Sequence, residues 1–264
     1  MPTIHPTACV DAGAEIGDGC RIGPYCVIGP DVRLGSGCTL HSHVVVDGAT
    51  RIGSGSEIFS FACLGKRTQD LKYKGGHTAV SIGSNCIIRE YVTIHQATSE
   101  GDCTTVGDDC VLLAYCHVAH DCVLGDGIIM SNGVNLGGHV SVDDRAVIGG
   151  LCGVHQFVRI GSMAMVSATA KVVQDVPPFG LVDGSPAHLV TINKIGMQRN
   201  GKDAATIRCV NQAYRTLFRS NLKLENAMRH IRDELEPRPE LDELLAFLAS
   251  SDRGVVRPRM KKRP

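Results

Sequence analysis

Eleven of the 264 residues are histidine, and three of them are spaced so that they could act at one place. His120 is followed directly by Asp121, and His139 and His155 each fall within one residue of positions 18 and 36 further along the chain. Imidazole titrates near neutrality, so a histidine beside a carboxylate suits general-base work. Histidine clusters equally suit zinc, and His117 with His120 could supply part of such a set. Any one of these histidines alone reads as an incidental solvated side chain. Three in register beside a carboxylate read as a site.

The spacing acquires meaning from the element that carries it. From Ile16 to Thr39 the chain says one six-residue phrase four times: IGDGCR, IGPYCV, IGPDVR, LGSGCT. An aliphatic leader recurs every sixth residue from Ile4 to Leu64, again at Ile82, Ile88 and Ile94, and from Val106 to Val172, 26 leaders in all. A fixed hexapeptide period is the signature of a parallel β-helix, each hexad being a short strand and a corner. Leader and leader-plus-four side chains should point inward. Proteins built on this repeat take three hexads per coil, in a left-handed triangular prism. That hand runs against the usual right-handed crossover and rests on the likeness to such proteins. On an 18-residue coil, 138 and 156 stack over His120, and the three imidazoles are expected along one axial strip of corners. Neighbouring coils are about 4.8 Å apart.

Composition agrees with a thin prism: aromatics are 4% and Trp is absent, while Lys+Arg and Asp+Glu balance at 27 each. Charge balance gives no case for nucleic acid. The basic tail Arg257–Pro264 reads as a disordered terminus rather than a binding patch. Of twelve cysteines, Cys20, Cys26, Cys38, Cys86, Cys110, Cys116, Cys122 and Cys152 sit four after a leader, where Cys acts as a small hydrophobe. With no CxxC, they are expected to be reduced core thiols of a cytoplasmic protein, without disulfides or metal. No charged-then-apolar leader begins the chain, and no apolar run reaches the roughly 18 residues of a membrane span.

The phase breaks twice, near 66–81 and 95–105, and each break is expected to be a loop leaving a corner. It ends at Val172–Phe179, where Pro177 and Pro178 cannot donate to the ladder. After an irregular segment, Asp203 should cap a helix whose Ile207, Val210, Tyr214, Leu217 and Phe218 share one face. Leu224–Glu236 and Pro239–Ser251 read as two more helices. The expectation is a β-helix over 1–190 and a small α-helical domain over 191–264.

The phrases QDLKY (Gln69–Tyr73), AHDC (Ala119–Cys122), GHVSVDD (Gly138–Asp144), VHQF (Val154–Phe157) and QDVPPF (Gln174–Phe179) resemble the acyl-ACP–UDP-N-acetylglucosamine O-acyltransferase family of lipid A synthesis. The resemblance runs along the whole chain. It implies a homotrimer with sites between subunits, in the cytoplasm of a Gram-negative-type bacterium, and an acyl donor carried on acyl carrier protein with no other cofactor. It assigns His120 as the base that takes the proton from the sugar 3-hydroxyl, Asp121 as its orienting partner, and the Gly138 N–H as an oxyanion donor. Asp70, Lys72, His139, His155 and Gln156 would hold the sugar, acyl group and phosphates, and Asn193 and Arg199 the nucleotide. Ile195 and Asn200 depart from the pattern of some members, so the nucleotide contacts carry over least firmly. Arg159, Lys171, Arg215 and Arg219 are candidates to meet an acidic carrier protein.

Ala168 is also two after a leader, 48 residues past His120, which is roughly 2.7 coils or 13 Å along the axis. An extended acyl chain advances roughly 1.3 Å per carbon, so it would pass Ala168 after about ten. In the resembled family a residue here acts as a ruler for the acyl chain. An alanine implies a 3-hydroxyacyl group of about ten to twelve carbons.

Three readings compete with this one, the plainest being a purely structural β-helix subunit in which the aligned histidines and the loop lysine are accidental. Hexapeptide-fold carbonic anhydrases bind zinc through histidines, but His120 here has the acidic neighbour of a general base, and a lyase has no need of the C-terminal helices. A CoA-dependent acetyltransferase would differ in its acyl donor. The residues alone leave open whether the acceptor is a 3-hydroxyl or a 3-amino sugar.

Overall fold

The computed structural model describes residues 1–259; the end of the basic tail, 260–264, lies outside the described residues. Each hexad gives one short strand, and each strand pairs in parallel with the strand three further on. The chain thus winds as a three-sided prism. Side I begins with Thr3–Ile4 and Arg21–Ile22, side II with Cys9–Val10 and Val27–Ile28, and side III with Glu15–Ile16 and Arg33–Leu34. Every leader from Ile22 to Val172 is buried. The three before it, Ile4, Val10 and Ile16 of the first coil, are only partly covered.

All eight leader-plus-four cysteines are at most 1% exposed. Their thiols have a further task at the corners. Cys20 donates to the Gly35 carbonyl at 3.0 Å, Cys26 to His41 at 2.9 Å, Cys122 to Gly137 at 3.2 Å and Cys152 to Ser167 at 2.9 Å, each bond spanning 15 residues to the next coil. Ser56 occupies the same slot and donates to the Gly83 carbonyl at 3.1 Å. A small side chain with a weak donor fits where a corner carbonyl would otherwise be buried unpaired. Burial pushes the Cys122 thiol up to about 12.

Both excursions leave side II and return to side III, at the corner that later carries His120. The first runs from Cys63–Lys66 to Ala79–Ile82, the second from Thr93–His95 to Cys103–Val106. They are shorter than the sequence breaks suggest, because their feet extend the strands in register: Ala79 pairs with Ala49 and Cys103.

The end of the prism departs from expectation. Pro177 and Pro178 do end the coil, but Gly180–Asp183 adds one more parallel strand to side I. His188–Ile192 then folds back antiparallel and closes that edge. The short helix α1 (Lys194–Arg199) follows, then α2 (Ala204–Arg219), α3 (Leu224–Glu234) and α4 (Pro239–Ala249). The latter two end two residues earlier than expected. Asp203 caps α2 by accepting from the Thr206 N–H at 2.7 Å. Ile207, Val210, Tyr214 and Leu217 are buried on its inner face, and Phe218 packs at the margin.

Candidate active site

Position 120 is two after its leader, where the chain turns from side II (His117–Val118) to side III (Val123–Leu124). Asp121 takes a left-handed conformation, φ 60°, to complete the corner. That turn brings its carboxylate back onto its neighbour. Asp121 Oδ2 accepts from His120 Nδ1 at 2.7 Å, both side chains being largely covered, 14% and 8% exposed. The bond occupies Nδ1 and leaves Nε2 free. Burial pushes the Asp121 carboxyl up, but hydrogen bonds from His120 and from Thr98 outweigh it and hold the group below its usual range.

One coil on, Gly138 lies under the imidazole. A Cβ there would clash with the His120 ring, 2.3 Å from Cε1 and 2.5 Å from Nε2, so only glycine lets the ring sit where it does. No acceptor within the chain meets the Gly138 N–H among the described residues. Positions 120, 138 and 156 form one column and 121, 139 and 157 the next. The His139 ring stacks on Phe157 (4.5 Å, 6°), and its Nε2 lies 3.5 Å from Asp121 Oδ2.

A cavity of about 760 Å³ opens beside this corner, over the outer face of side II. Its floor is the row one before each leader, His117, Asn135, Gly153 and Lys171, paired in register across successive coils. His120, His155 and Gln156 form one wall, and Gln69, Asp70, Leu71 and Lys72 of the first excursion lean over it. Asp70 Oδ1 accepts the Lys72 N–H at 2.8 Å, a tight turn that fixes this tip.

The expected strip of three imidazoles is therefore corrected. His120 and His155 face the cavity, whereas His139, one residue further round its corner, stands behind Asp121. His155 Nδ1 meets the Gln156 carbonyl at 3.0 Å. Asn193 and Arg199 are not brought to this cavity within one chain. Asn193 caps α1 with Oδ1 on the Gly196 N–H, while its Nδ2 donates to the Met163 carbonyl, so both amide atoms are engaged. Arg199 is exposed at the last turn of α1, Ile195 is 62% exposed, and Asn200 closes that helix on the Gly196 carbonyl. Ala168 lies at the corner between sides I and II, across the floor from His120, and its coil pairs there through the Thr169 N–H to the Gly150 carbonyl at 2.8 Å.

Arg159 is not available as a docking charge. It stands over the Phe247 ring at 4.3 Å and donates to Ser250, tying the end of α4 to side III. Arg215 and Arg219 line a smaller cleft of about 140 Å³ with Lys194.

Two histidines join this site beyond the roles the sequence suggests: His117, which the sequence offers only as part of a zinc set, and His95, which it does not single out. Burial, with the charges of His95 and His120, pushes His117 down to about 4. His95, buried behind it with an unpartnered Nδ1, is lowered by burial and by His120. The phase gives His117 its place on the cavity floor, since it begins the outward row next to the His120 corner. His95 starts the second excursion, where the phase gives no guide. His120, Asp121 and His139 offer donor atoms within 4.8 Å of one another, the one such group among the described residues. Those atoms are already turned on each other, with the 2.7 Å bond where a metal would have to enter.

Against proteins of known family, residues 175–256 match the model of UDP-N-acetylglucosamine O-acyltransferase, domain 2, and residues 13–48 and 103–138 match hexapeptide repeats. The acyl-[acyl-carrier-protein]–UDP-N-acetylglucosamine O-acyltransferase of Herminiimonas arsenicoxydans is 45% identical over 262 residues, covering 97% of this chain and 100% of that one. This chain belongs to the UDP-N-acetylglucosamine O-acyltransferase family. The structure of LpxA from Acinetobacter baumannii superposes with a TM-score of 0.93 at 43% identity, over 96% of this chain and 99% of that one. LpxA of Bacteroides fragilis gives 0.94 at 33%, over 97% and 100%. The prism of this family member is the left-handed parallel β-helix. No helix among the described residues is long and apolar enough to cross a membrane.

Proposed function

We propose that the chain moves a 3-hydroxyacyl group from the phosphopantetheine of acyl carrier protein to the 3-hydroxyl of UDP-N-acetylglucosamine, the first step of lipid A synthesis. The observation that carries the chemistry is His120, pinned through Nδ1 by Asp121 and presenting Nε2 beside the cavity and over Gly138. Nε2 takes the proton of the sugar hydroxyl as its oxygen attacks the thioester carbonyl. Asp121 stabilises the imidazolium that forms. The Gly138 N–H donates to the oxyanion of the tetrahedral intermediate. Collapse breaks the C–S bond, and the imidazolium returns its proton to the departing thiolate. Direct attack is favoured because no Ser, Thr or Cys is among the described residues lining the cavity.

Asp70, His155 and Gln156 are placed to hold the sugar, and Lys72 to meet the acyl or phosphate oxygens. His139 acts on Asp121 from behind rather than on the sugar. We place Asn193 and Arg199 at the nucleotide of a neighbouring copy, within a homotrimer. The carrier-protein surface reduces to Lys171, Arg215 and Arg219. His120→Ala should lower kcat roughly 10²–10⁴-fold with an unchanged melting temperature. Turnover near the parent's would remove His120 from this role.

A further inference from the structure

The second excursion, 96–102, has no side chain in the cavity, yet it holds the catalytic pair. Thr98 Oγ1 donates to Asp121 Oδ2 at 2.7 Å, and the Thr98 N–H donates to Oδ1 at 3.1 Å. Oδ2 is the same oxygen that accepts from His120 Nδ1. On the other side, the Asp121 N–H donates to Oγ1 of the buried Thr104, where the excursion rejoins the prism. With both carboxylate oxygens held, Asp121 has no freedom to rotate about Cβ–Cγ.

The excursion is in turn fixed to the one that overhangs the cavity. The Gln96 N–H donates to the Lys66 carbonyl and the Gly101 N–H to the His77 carbonyl, both at 2.9 Å. The Glu100 carboxylate accepts the His77 N–H at 2.9 Å and meets His77 Nδ1 at 3.2 Å. The loop bearing Asp70 and Lys72 and the loop bearing Thr98 thus form one braced unit, with one end at the cavity and the other on the Asp121 carboxylate.

We propose that Thr98 is a positioning residue for the reaction: its hydroxyl fixes the Asp121 carboxylate so that the His120 imidazole is held with Nε2 at the cavity. This rests on the reading of His120 as the base. Partners that orient a working histidine from outside the first contact are worth about 10–100-fold where they have been removed in metal sites, and the same scale applies to an orienting carboxylate. Around the pair, His139 faces Asp121, His95 and His117 face His120, and Cys122 adjoins Asp121. Removing the Thr98 hydroxyl takes away one of the bonds that hold the Asp121 carboxyl below its usual range and frees the carboxylate to turn away from His120.

The test uses the full chain with a hydroxyacyl carrier protein and UDP-N-acetylglucosamine. Thr98→Val keeps the shape and the backbone donor and removes the hydroxyl. It should lower kcat 10–100-fold and leave both KM values within about twofold. Thr98→Ser restores the donor and should return kcat to within about threefold of the parent. Parental kcat in Thr98→Val, with His120→Ala inactive, overturns the proposal alone. Parental turnover in His120→Ala removes the base reading and this proposal with it. A Thr98→Ser variant as impaired as Thr98→Val shows a packing role and overturns it too.

Discussion

Gly138→Ala is the sharpest perturbation the site allows, because it adds one methyl group and no charge. The added Cβ would sit 2.5 Å from His120 Nε2 and 2.9 Å from Nδ1. Ordinary contact begins at 3.4 Å, so the imidazole must retreat by about 1 Å or the coil must shift. The ring has little room to retreat. Asp121 holds Nδ1 at 2.7 Å, and the side chain is 14% exposed in a slot between successive coils. Forcing a methyl into such packing costs about 1–3 kcal/mol, and giving up a charge-assisted hydrogen bond costs about 1.5–3 kcal/mol. A displacement of about 1 Å from a reactive geometry costs about 100-fold in rate. We therefore expect kcat to fall about 10²–10³-fold, or about 3–4 kcal/mol in activation free energy. Both KM values should change far less, because the cavity floor and overhanging loop are untouched. The melting temperature should drop by a few degrees. Steady-state kinetics and a thermal melt suffice. Turnover within about threefold of the parent would show that the ring is not confined as described, and would also weaken the case for the Gly138 N–H as the oxyanion donor.

Three other outcomes follow from the same geometry. His117 is pushed from 6.5 down to about 4, so between those pH values the unfolded chain binds a proton that the folded chain refuses. Stability should fall as pH drops through this window, and His117→Asn should reduce that loss by up to about 3 kcal/mol in denaturant titrations; an unchanged slope would refute it. Charge reversal at Lys171, Arg215 or Arg219 should raise the KM for the carrier protein and weaken its salt dependence, while Arg159→Glu should act on the melting temperature instead, and a donor KM unmoved by the first three rejects this surface. Ala168→Gly should favour longer acyl donors and Ala168→Met shorter ones; because Ala168 lies across side II as well as down the axis, the path from His120 exceeds the axial distance of about 13 Å and ten carbons is a lower bound. If both variants keep the parent's donor profile, the chain runs elsewhere.

Which of these features could be read from the residues depends on whether they obey the six-residue phase. The sides of the prism, the inward cysteines and the stacking of 120, 138 and 156 all follow from it, because phase fixes which way a side chain points and which coil lies beneath. The same rule corrects the strip of histidines. One step round a corner moves a side chain into the next column, so His139 stacks on Phe157 and meets Asp121, with its ring edge-on to that of His120 at 5.2 Å, while His155 belongs with the cavity wall. The features that were not legible are aperiodic. The strand pair 180–192 and the six-residue α1 are too short to carry a pattern, and their register comes from the exposed last strand of side I, which any extended segment could cap. Thr98 is the instructive case. Nothing in its neighbourhood distinguishes it from other loop threonines, and its place on Asp121 exists only because Gln96, Glu100 and Gly101 are tied to Lys66 and His77 across two excursions. The repeat sets the positions of the reacting groups to within one coil. The finer adjustment, which holds one carboxylate oxygen on one imidazole, comes from the two places where the repeat is broken, and both breaks leave the prism at the corner where His120 stands.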